Sequence, residues 1–420
     1  MRFSENGPRG RPAGRKRAGQ ALIFSAVALT GAIAIAGLAL DLGRMYAVRA
    51  RLASAVDGGA LAGARVLPRG EVFAENTAMN FAGMNFAPGF MGTSGHSFSV
   101  SFIPNPAEPR IQVQGNAVMP TTLMRLVGIS QVNVSAEAEA TRRPLRLPLV
   151  LDTSLSMSRG NAIAALRSGA IQFVDFFDDT MDMMALVRFA SGRLTLFHLG
   201  YHFKTPMITA ISGFTALGNT TAGHALNAAR DELAGEANPT AFRAIIFFTD
   251  GRPTSFRDIF TIDGNPLDAV IGGYQNPNDH GGDPPEKGLQ DPYRIHEWLG
   301  IPNPDFLPDG REANNWNILD AAREQTRVAA ESARESGIAI FVIALGSPGE
   351  DEWHQPDVPL LVELANVPYA DDPLHPGETI VNENYDPDEP QGAFFFTPDA
   401  NELENVFHRL AREIAVRLTR

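Results

Sequence analysis

The chain contains no cysteine. That excludes a disulfide framework, a thiolate metal site, an iron–sulfur cluster and a cysteine nucleophile. It does not fix the compartment, although a thiol-free chain suits an oxidising space where stray pairing is a hazard. Positive charge is also short: 35 Lys and Arg stand against 48 Asp and Glu, and the net charge of −13 disfavours a general role on nucleic acid. The short motifs of common catalysts are missing, since neither G-x-S-x-G nor G-x-G-x-x-G occurs. Gly213-Phe-Thr-Ala-Leu-Gly218-Asn-Thr220 echoes a phosphate loop, yet Asn219 occupies the lysine position and no strong strand precedes it. His198 and His202 fall at a strand end and do not share a helical face. His296-Glu297 has no second histidine to complete H-E-x-x-H, and no base is placed to activate Ser156. An enzyme is not expected.

What is present suits a folded chain. Hydrophobic content of 44% against 20% charge excludes a mainly disordered protein, and 420 residues suggest two to three domains. The 39 Gly and 30 Pro predict long loops or insertions. Residues 1–19 form a basic tail carrying Arg2, Arg9, Arg11, Arg15, Lys16 and Arg17 against Glu5 alone. Ala21 to Leu40 is then uncharged. About 20 helical residues reach ~30 Å, the thickness of a bilayer's hydrocarbon core, so 20–40 reads as a transmembrane helix. By the positive-inside rule the N-terminus stays cytoplasmic and the chain after Asp41 crosses. A cleaved signal peptide is the other reading, because Ala32-Ile-Ala34 and Ala34-Ile-Ala36 are small-x-small sites.

Residues 41–143 read as a small α+β module. Leu42, Met45, Val48, Leu52, Val56 and Ala60 recur at three- and four-residue steps, one apolar helical stripe. Ser97–Phe102, Arg110–Val113 and Gln131–Ala136 alternate as half-buried strands, with a short helix at Thr121–Val127. Gly19-Gln20, the apolar run, Asp41-Leu-Gly-Arg44, Tyr46 and Leu52…Asp57…Ala60-Leu-Ala-Gly-Ala64 resemble the N-terminal region of TadE/TadG-like proteins of the tight-adherence (Flp) pilus machinery. The resemblance is close over 15–65 and loose over 66–143, with Ala53 where the family usually has Gln. It implies a single-pass protein of the bacterial inner membrane with its C-terminal part periplasmic or extracellular.

Residues 144–420 carry the sharper signal. Leu145–Leu151, Met184–Phe189, Arg243–Thr249 and Ile338–Leu345 are continuous apolar runs, separated by helical stretches at Asn161–Phe177, Ala222–Leu233, Trp316–Ser336 and Asn401–Leu418. Such runs mark parallel strands buried on both faces. Leu194–Leu199 follows a tight Ser191-Gly192 turn and reads as an antiparallel edge. The expected fold class is α/β, a doubly wound, mostly parallel sheet. Arg252–Asn315 and Ser347–Gln391 are rich in Pro, Gly, Asn and Asp and read as insertions at 252–315 and 347–391, the first beside the strand-end face.

Ligands of such sheets bind beyond the strand C-termini at the topological switch point. Asp152, Ser154 and Ser156 leave the first strand, Thr220 lies in a loop before a helix, and Asp250 ends the strand Ile245-Ile-Phe-Phe-Thr249. Each alone would pass for a strand-end or helix cap. Together they are two carboxylates and three hydroxyls, a hard all-oxygen set suited to Mg²⁺ or Mn²⁺ and not to zinc. Asp152-x-Ser154-x-Ser156, Thr220 and Thr249-Asp-Gly251 resemble the von Willebrand factor type A domain with its metal-ion-dependent adhesion site (MIDAS). The resemblance implies that Ser154, Ser156 and Thr220 touch the metal, that both Asp residues act directly or through water, and that an Asp or Glu of a protein partner completes the coordination. The expected role is protein recognition in pilus assembly or at the envelope. A structural scaffold with a vestigial site, or a surface adhesin, are the alternatives.

Overall fold

The computed structural model describes residues 15–67, 70–103, 110–235, 240–273, 288–289, 302–346 and 354–418. Most of the basic tail, the stretch Gln275–Pro285 and His296-Glu297 lie outside them. The chain divides into two units, Met1–Arg142 and Arg143–Arg420.

In the N-terminal unit one helix, α1 (Arg15–Val66), carries both the uncharged run and the apolar stripe. No proline interrupts it, so nothing removes a ladder hydrogen bond where the run meets Asp41. Leu22–Val66 is long and apolar enough to cross a membrane by length and composition. Leu22, Ile23, Phe24, Val27, Leu29, Ile33 and Ile35 are exposed, whereas Val48, Leu52, Val56, Ala60 and Ala64 are buried. A second helix, α2 (Glu71–Asn85), packs its alanine face, Ala74, Ala78 and Ala82, on α1. Close approach needs the glycines there: a Cβ on Gly59 would lie 2.8 Å from the Ala78 carbonyl oxygen. Strands β1 (Gly95–Ile103), β2 (Arg110–Pro120) and β3 (Gln131–Thr141) form an antiparallel sheet in the order β1-β2-β3. Ile111, Val113, Ala117 and Met119 alternate inward along β2 against the stripe of α1.

The second unit is built on a six-stranded sheet. Its members in chain order are β4 (Leu145–Asp152), β5 (Met183–Phe189), β6 (Arg193–Gly200), β7 (Phe242–Thr249), β11 (Ala339–Leu345) and β14 (Ala393–Thr397), and its spatial order is β14-β11-β7-β4-β5-β6. All pairs are parallel except β5–β6. Every residue of β4 and β11 is buried, as expected of strands covered on both faces. One face is covered by α3 (Ala162–Phe176), α4 (Lys204–Ser212) and α8 (Leu403–Arg417), through Leu166, Phe173, Met207, Ile211, Phe407 and Leu410. The other is covered by α5 (Ala222–Ala234), α6 (Asn315–Glu335) and α7 (Val358–Leu364), through Ala225, Leu226, Ala330, Ala333, Leu360 and Leu364. The domain is therefore doubly wound.

Both segments read as insertions hold regular structure. Residues 255–272 form an antiparallel hairpin, β8 (Ser255–Ile262) and β9 (Asn265–Gly272), turned through Asp263 and Gly264 at positive φ. The pair β10 (Gly288–Leu289) adds to β9. Phe256, Phe260 and Ile271 bury with Ile318, Ala321 and Ala322 of α6, which is why this polar stretch folds. The second segment contains α7, capped by the Asp357 side chain, and the small hairpin β12 (Tyr369–Asp371) and β13 (Thr379–Val381).

Candidate metal site

β4 and β7 are neighbours, with Leu151 opposite Phe248, so Asp152 and Asp250 leave the C-terminal ends of two paired parallel strands. From β4 the chain moves to β5 on one side; from β7 it moves to β11 on the other. This is the switch point, where the strand-end loops part and open a crevice.

The site grows from the end of β4. Asp152 Oδ1 accepts the Ser154 backbone N–H at 2.7 Å, which turns the chain sharply and brings Ser154 back over the strand end. Ser154 Oγ and Ser156 Oγ are 2.9 Å apart. Ser156 Oγ donates to Asp250 Oδ1 at 2.7 Å. The other oxygen of Asp152, Oδ2, accepts from Thr249 Oγ1 at 2.6 Å. Four of the five expected residues thus share one buried hydrogen-bonded network.

Thr220 reaches the same place by its backbone. Leu155 N–H donates to Gly218 O at 2.9 Å and Leu217 N–H to Thr153 O at 2.8 Å, which ties its loop to the turn after β4. Gly218 has φ +79°, and a Cβ there would also collide with the Ser191 side chain, so the position suits only glycine. Ser191 Oγ accepts Asn219 N–H at 2.9 Å, and Thr254 Oγ1 accepts Thr220 N–H at 3.0 Å. Thr220 is buried, and its hydroxyl makes no hydrogen bond among the described residues. Thr221 is engaged elsewhere, its hydroxyl 2.6 Å from Ser255 Oγ. The start of the β8–β9 hairpin therefore lies against the Thr220 loop.

Thr249, Thr254 and Ser191 are the positioning residues that sequence reasoning missed. Thr249 carried a signal in hindsight, since it immediately precedes Asp250 and the strand alternation leaves one hydroxyl facing β4. Ser191 and Thr254 carried none, because their partners are 28 and 34 residues away.

Asp152 and Asp250 are both nearly inaccessible. Burial, which penalises the charged form, raises Asp152 from the ordinary 3.8 to about 6 despite hydrogen bonds from Thr249 and Ser154. Burial raises Asp250 to about 8, and the adjacent Asp152 charge adds to the rise. The Arg159 charge pulls Asp250 the other way, and neither carboxylate forms an ion pair among the described residues. Two buried acids without an ion-pair partner among the described residues, three hydroxyl oxygens around them and one hydroxyl unengaged form a donor set that fits a small hard divalent cation. It does not fit a soft metal, for no sulfur or imidazole takes part.

At the rim, His224 in the first turn of α5 accepts from Arg193 and Arg257 at 3.3 and 3.1 Å. Burial, followed by these two cations, lowers its pKa to about 4, so it is neutral and acts as an acceptor at pH 7.

This arrangement has a counterpart among known families. Residues 147–252 match the von Willebrand factor type A domain, and residues 19–66 match the Flp pilus-assembly TadE/G-like family. No curated protein matches the chain. Among solved structures it is similar to the pilus adhesin SpaC of Lactobacillus rhamnosus GG in its open conformation, at 14% identity and a TM-score of 0.43 over 77% of this chain and 34% of that one. The vWF domain of the type V pili tip protein Mfa5 of Porphyromonas gingivalis gives 17% identity and 0.42 over 66% of this chain and 97% of that one. Proximal thread matrix protein 1 of the mussel byssus, with a zinc-occupied MIDAS motif, gives 15% and 0.36 over 65% and 46%. The chain thus spans about a third of the SpaC chain's length. Its C-terminal unit has the fold of a von Willebrand factor type A domain. The same chain carries a TadE/G-like segment at its N-terminal end.

Proposed function

We propose that the chain is a membrane-anchored, non-enzymatic binding module of Flp/Tad-type pilus assembly, which captures a protein partner through a divalent cation. The TadE/G-like segment supports the pilus assignment, and the exposed apolar run of α1 supports the anchor, with the N-terminus cytoplasmic and the C-terminal unit beyond the inner membrane. The observation that carries the binding reading is the pair of buried carboxylates, Asp152 and Asp250, bridged by Ser154 and Ser156 and without an ion-pair partner among the described residues.

Asp152, Ser154, Ser156, Thr220 and Asp250 would hold Mg²⁺ or Mn²⁺. When bound, the cation supplies positive charge that a partner's Asp or Glu can neutralise. The residues of this chain do the preparatory work. Thr249 fixes the Asp152 carboxylate, the Ser154 N–H holds its other oxygen, and Thr254 with Ser191 holds the Thr220 loop, so little ordering remains to be done on binding. Partner pull-down by crosslinking, with the full-length chain in the presence of Mg²⁺ or chelator, tests the proposal. Capture should require the divalent ion and be lost in Asp152→Ala; equal capture in chelator would refute the mechanism. A scaffold with a vestigial site draws support from one detail: Ser156 Oγ already donates to Asp250 Oδ1 within a network closed by the chain's own groups. Calorimetric titration with Mg²⁺ and Mn²⁺ separates the two, since a vestigial site gives no binding heat.

A further inference from the structure

The β2–β3 connection occupies an unexpected level along α1. A Cβ on Gly63 would press on Ile111 at one end of β2, and a Cβ on Gly37 would overlap the Leu123 side chain just beyond its other end. The helix rises about 39 Å between these glycines at ~1.5 Å per residue. The strand with its loop covers about 40 Å between Ile111 and Leu123 at ~3.3 Å per residue. The two elements therefore run alongside each other in full, and Leu123 sits against the last turn of the uncharged run, about 4.5 Å short of Leu40 along the axis.

Asp41 fastens this contact. Its buried carboxylate accepts the backbone N–H groups of Thr122, Leu123 and Met124 at 2.8, 2.9 and 2.9 Å. Arg44 adds bonds to Thr122 Oγ1 and to Met91 O. The first acid after the run is thus buried against the loop, its carboxylate held by three backbone N–H groups. The loop itself presents apolar side chains outward: Leu126 is 75% exposed and Ile129 42%, with the adjacent Arg125 also exposed. At the same level of the helix Leu38 and Leu40 are also exposed, at 45% and 53%.

We infer that the loop Thr121–Ser130 is a second membrane contact, which inserts Leu126 and Ile129 into the headgroup–acyl boundary of the leaflet where the helix emerges, with Arg125 at the lipid phosphates. The inference rests on the reading that 20–40 spans a bilayer. Lipid is the occupant because the loop is fastened at the level of the span itself, through Gly37 and Asp41, and exposes apolar side chains there as the run does at Leu38 and Leu40. Its effect is to fix the tilt and rotation of the emerging helix, and with it the module's stance on the membrane.

The absence of native cysteine makes the test direct. Leu126→Cys and Ile129→Cys, each labelled with a polarity-sensitive fluorophore, are placed in the full-length chain in vesicles of phosphatidylethanolamine and phosphatidylglycerol. The vesicles carry nitroxide lipids, either shallow or deep. Leu29→Cys reports the span, and Leu61→Cys, exposed on the far part of α1, is the aqueous control. The expected result is blue-shifted emission at 126 and 129, lost chiefly to shallow nitroxides, with 29 lost to deep ones and 61 to neither. A 126 label as aqueous as 61 beside a quenched 29 overturns the inference and leaves the span standing. A blue shift without lipid quenching means a protein surface covers the loop, and overturns it too. An unquenched 29 removes the span and the inference together.

Discussion

Asp152 and Asp250 are two acids held where water scarcely reaches them, and their titration is a usable signature. Both folded pKa values lie above the ordinary 3.8, so between about pH 4 and about pH 8 the metal-free domain binds more protons than the unfolded chain. The stability they contribute is present on the acid side and is lost as pH rises through the folded values. Thermal unfolding in chelator should therefore move in favour of Asp250→Asn over the native chain as pH increases across that window. Saturating Mg²⁺ should reverse the order, because it stabilises the native chain alone, by about 2.7 kcal/mol at roughly 100-fold excess over Kd. Thr249→Val tests the support of Asp152: losing a buried hydrogen bond to a charged group should cost about 1.5–3 kcal/mol and weaken Mg²⁺ binding in calorimetry. At this scale the sequence was readable where the spacing is local. Asp152, Ser154 and Ser156 are two apart, and the turn that gathers them is made by their own backbone. Thr254 and Ser191 act across long separations through a single hydroxyl each, and no spacing betrays that.

Elements were legible in proportion to their burial. β4, β5, β7 and β11 are continuous apolar runs, and the antiparallel edge β6 followed from its tight turn. β14 went unread as a strand because its five residues follow an acidic, proline-rich stretch, although they pair in parallel with β11. α2 and α7 were missed for related reasons: one buries only alanines, which have little pattern, and the other is two turns long. The β8–β9 hairpin was read as loop because its polar positions face outward while Phe256 and Phe260 find α6. One glycine joins packing to the site. A Cβ on Gly223 would lie 2.8 Å from the Gln325 carbonyl oxygen and 3.0 Å from the Thr326 nitrogen, both backbone atoms of α6. Gly223→Ala should therefore push α5 off α6, costing about 1–3 kcal/mol in denaturant unfolding. Because α5 starts directly after Thr221, the same variant should weaken divalent binding without touching a ligand oxygen.

Across the whole chain, an apolar helix and a recognition-type domain are joined in one sequence, and the function proposed needs both. The charge step at Asp41 was legible, and so was the helical stripe beyond it; no proline interrupts the helix before Val66. The match of 147–252 to the von Willebrand factor type A domain and of 19–66 to the TadE/G-like family gives each part its class, while the occupant of the crevice rests on chemistry alone. The most direct test is Mn²⁺ titration of the full-length chain in detergent, followed by the loss of the free-ion electron paramagnetic resonance signal. The account predicts a single saturable site that disappears in Asp152→Ala and in Asp250→Asn while both variants retain the native circular dichroism. No uptake by the native chain, or undiminished uptake by both folded variants, would contradict it.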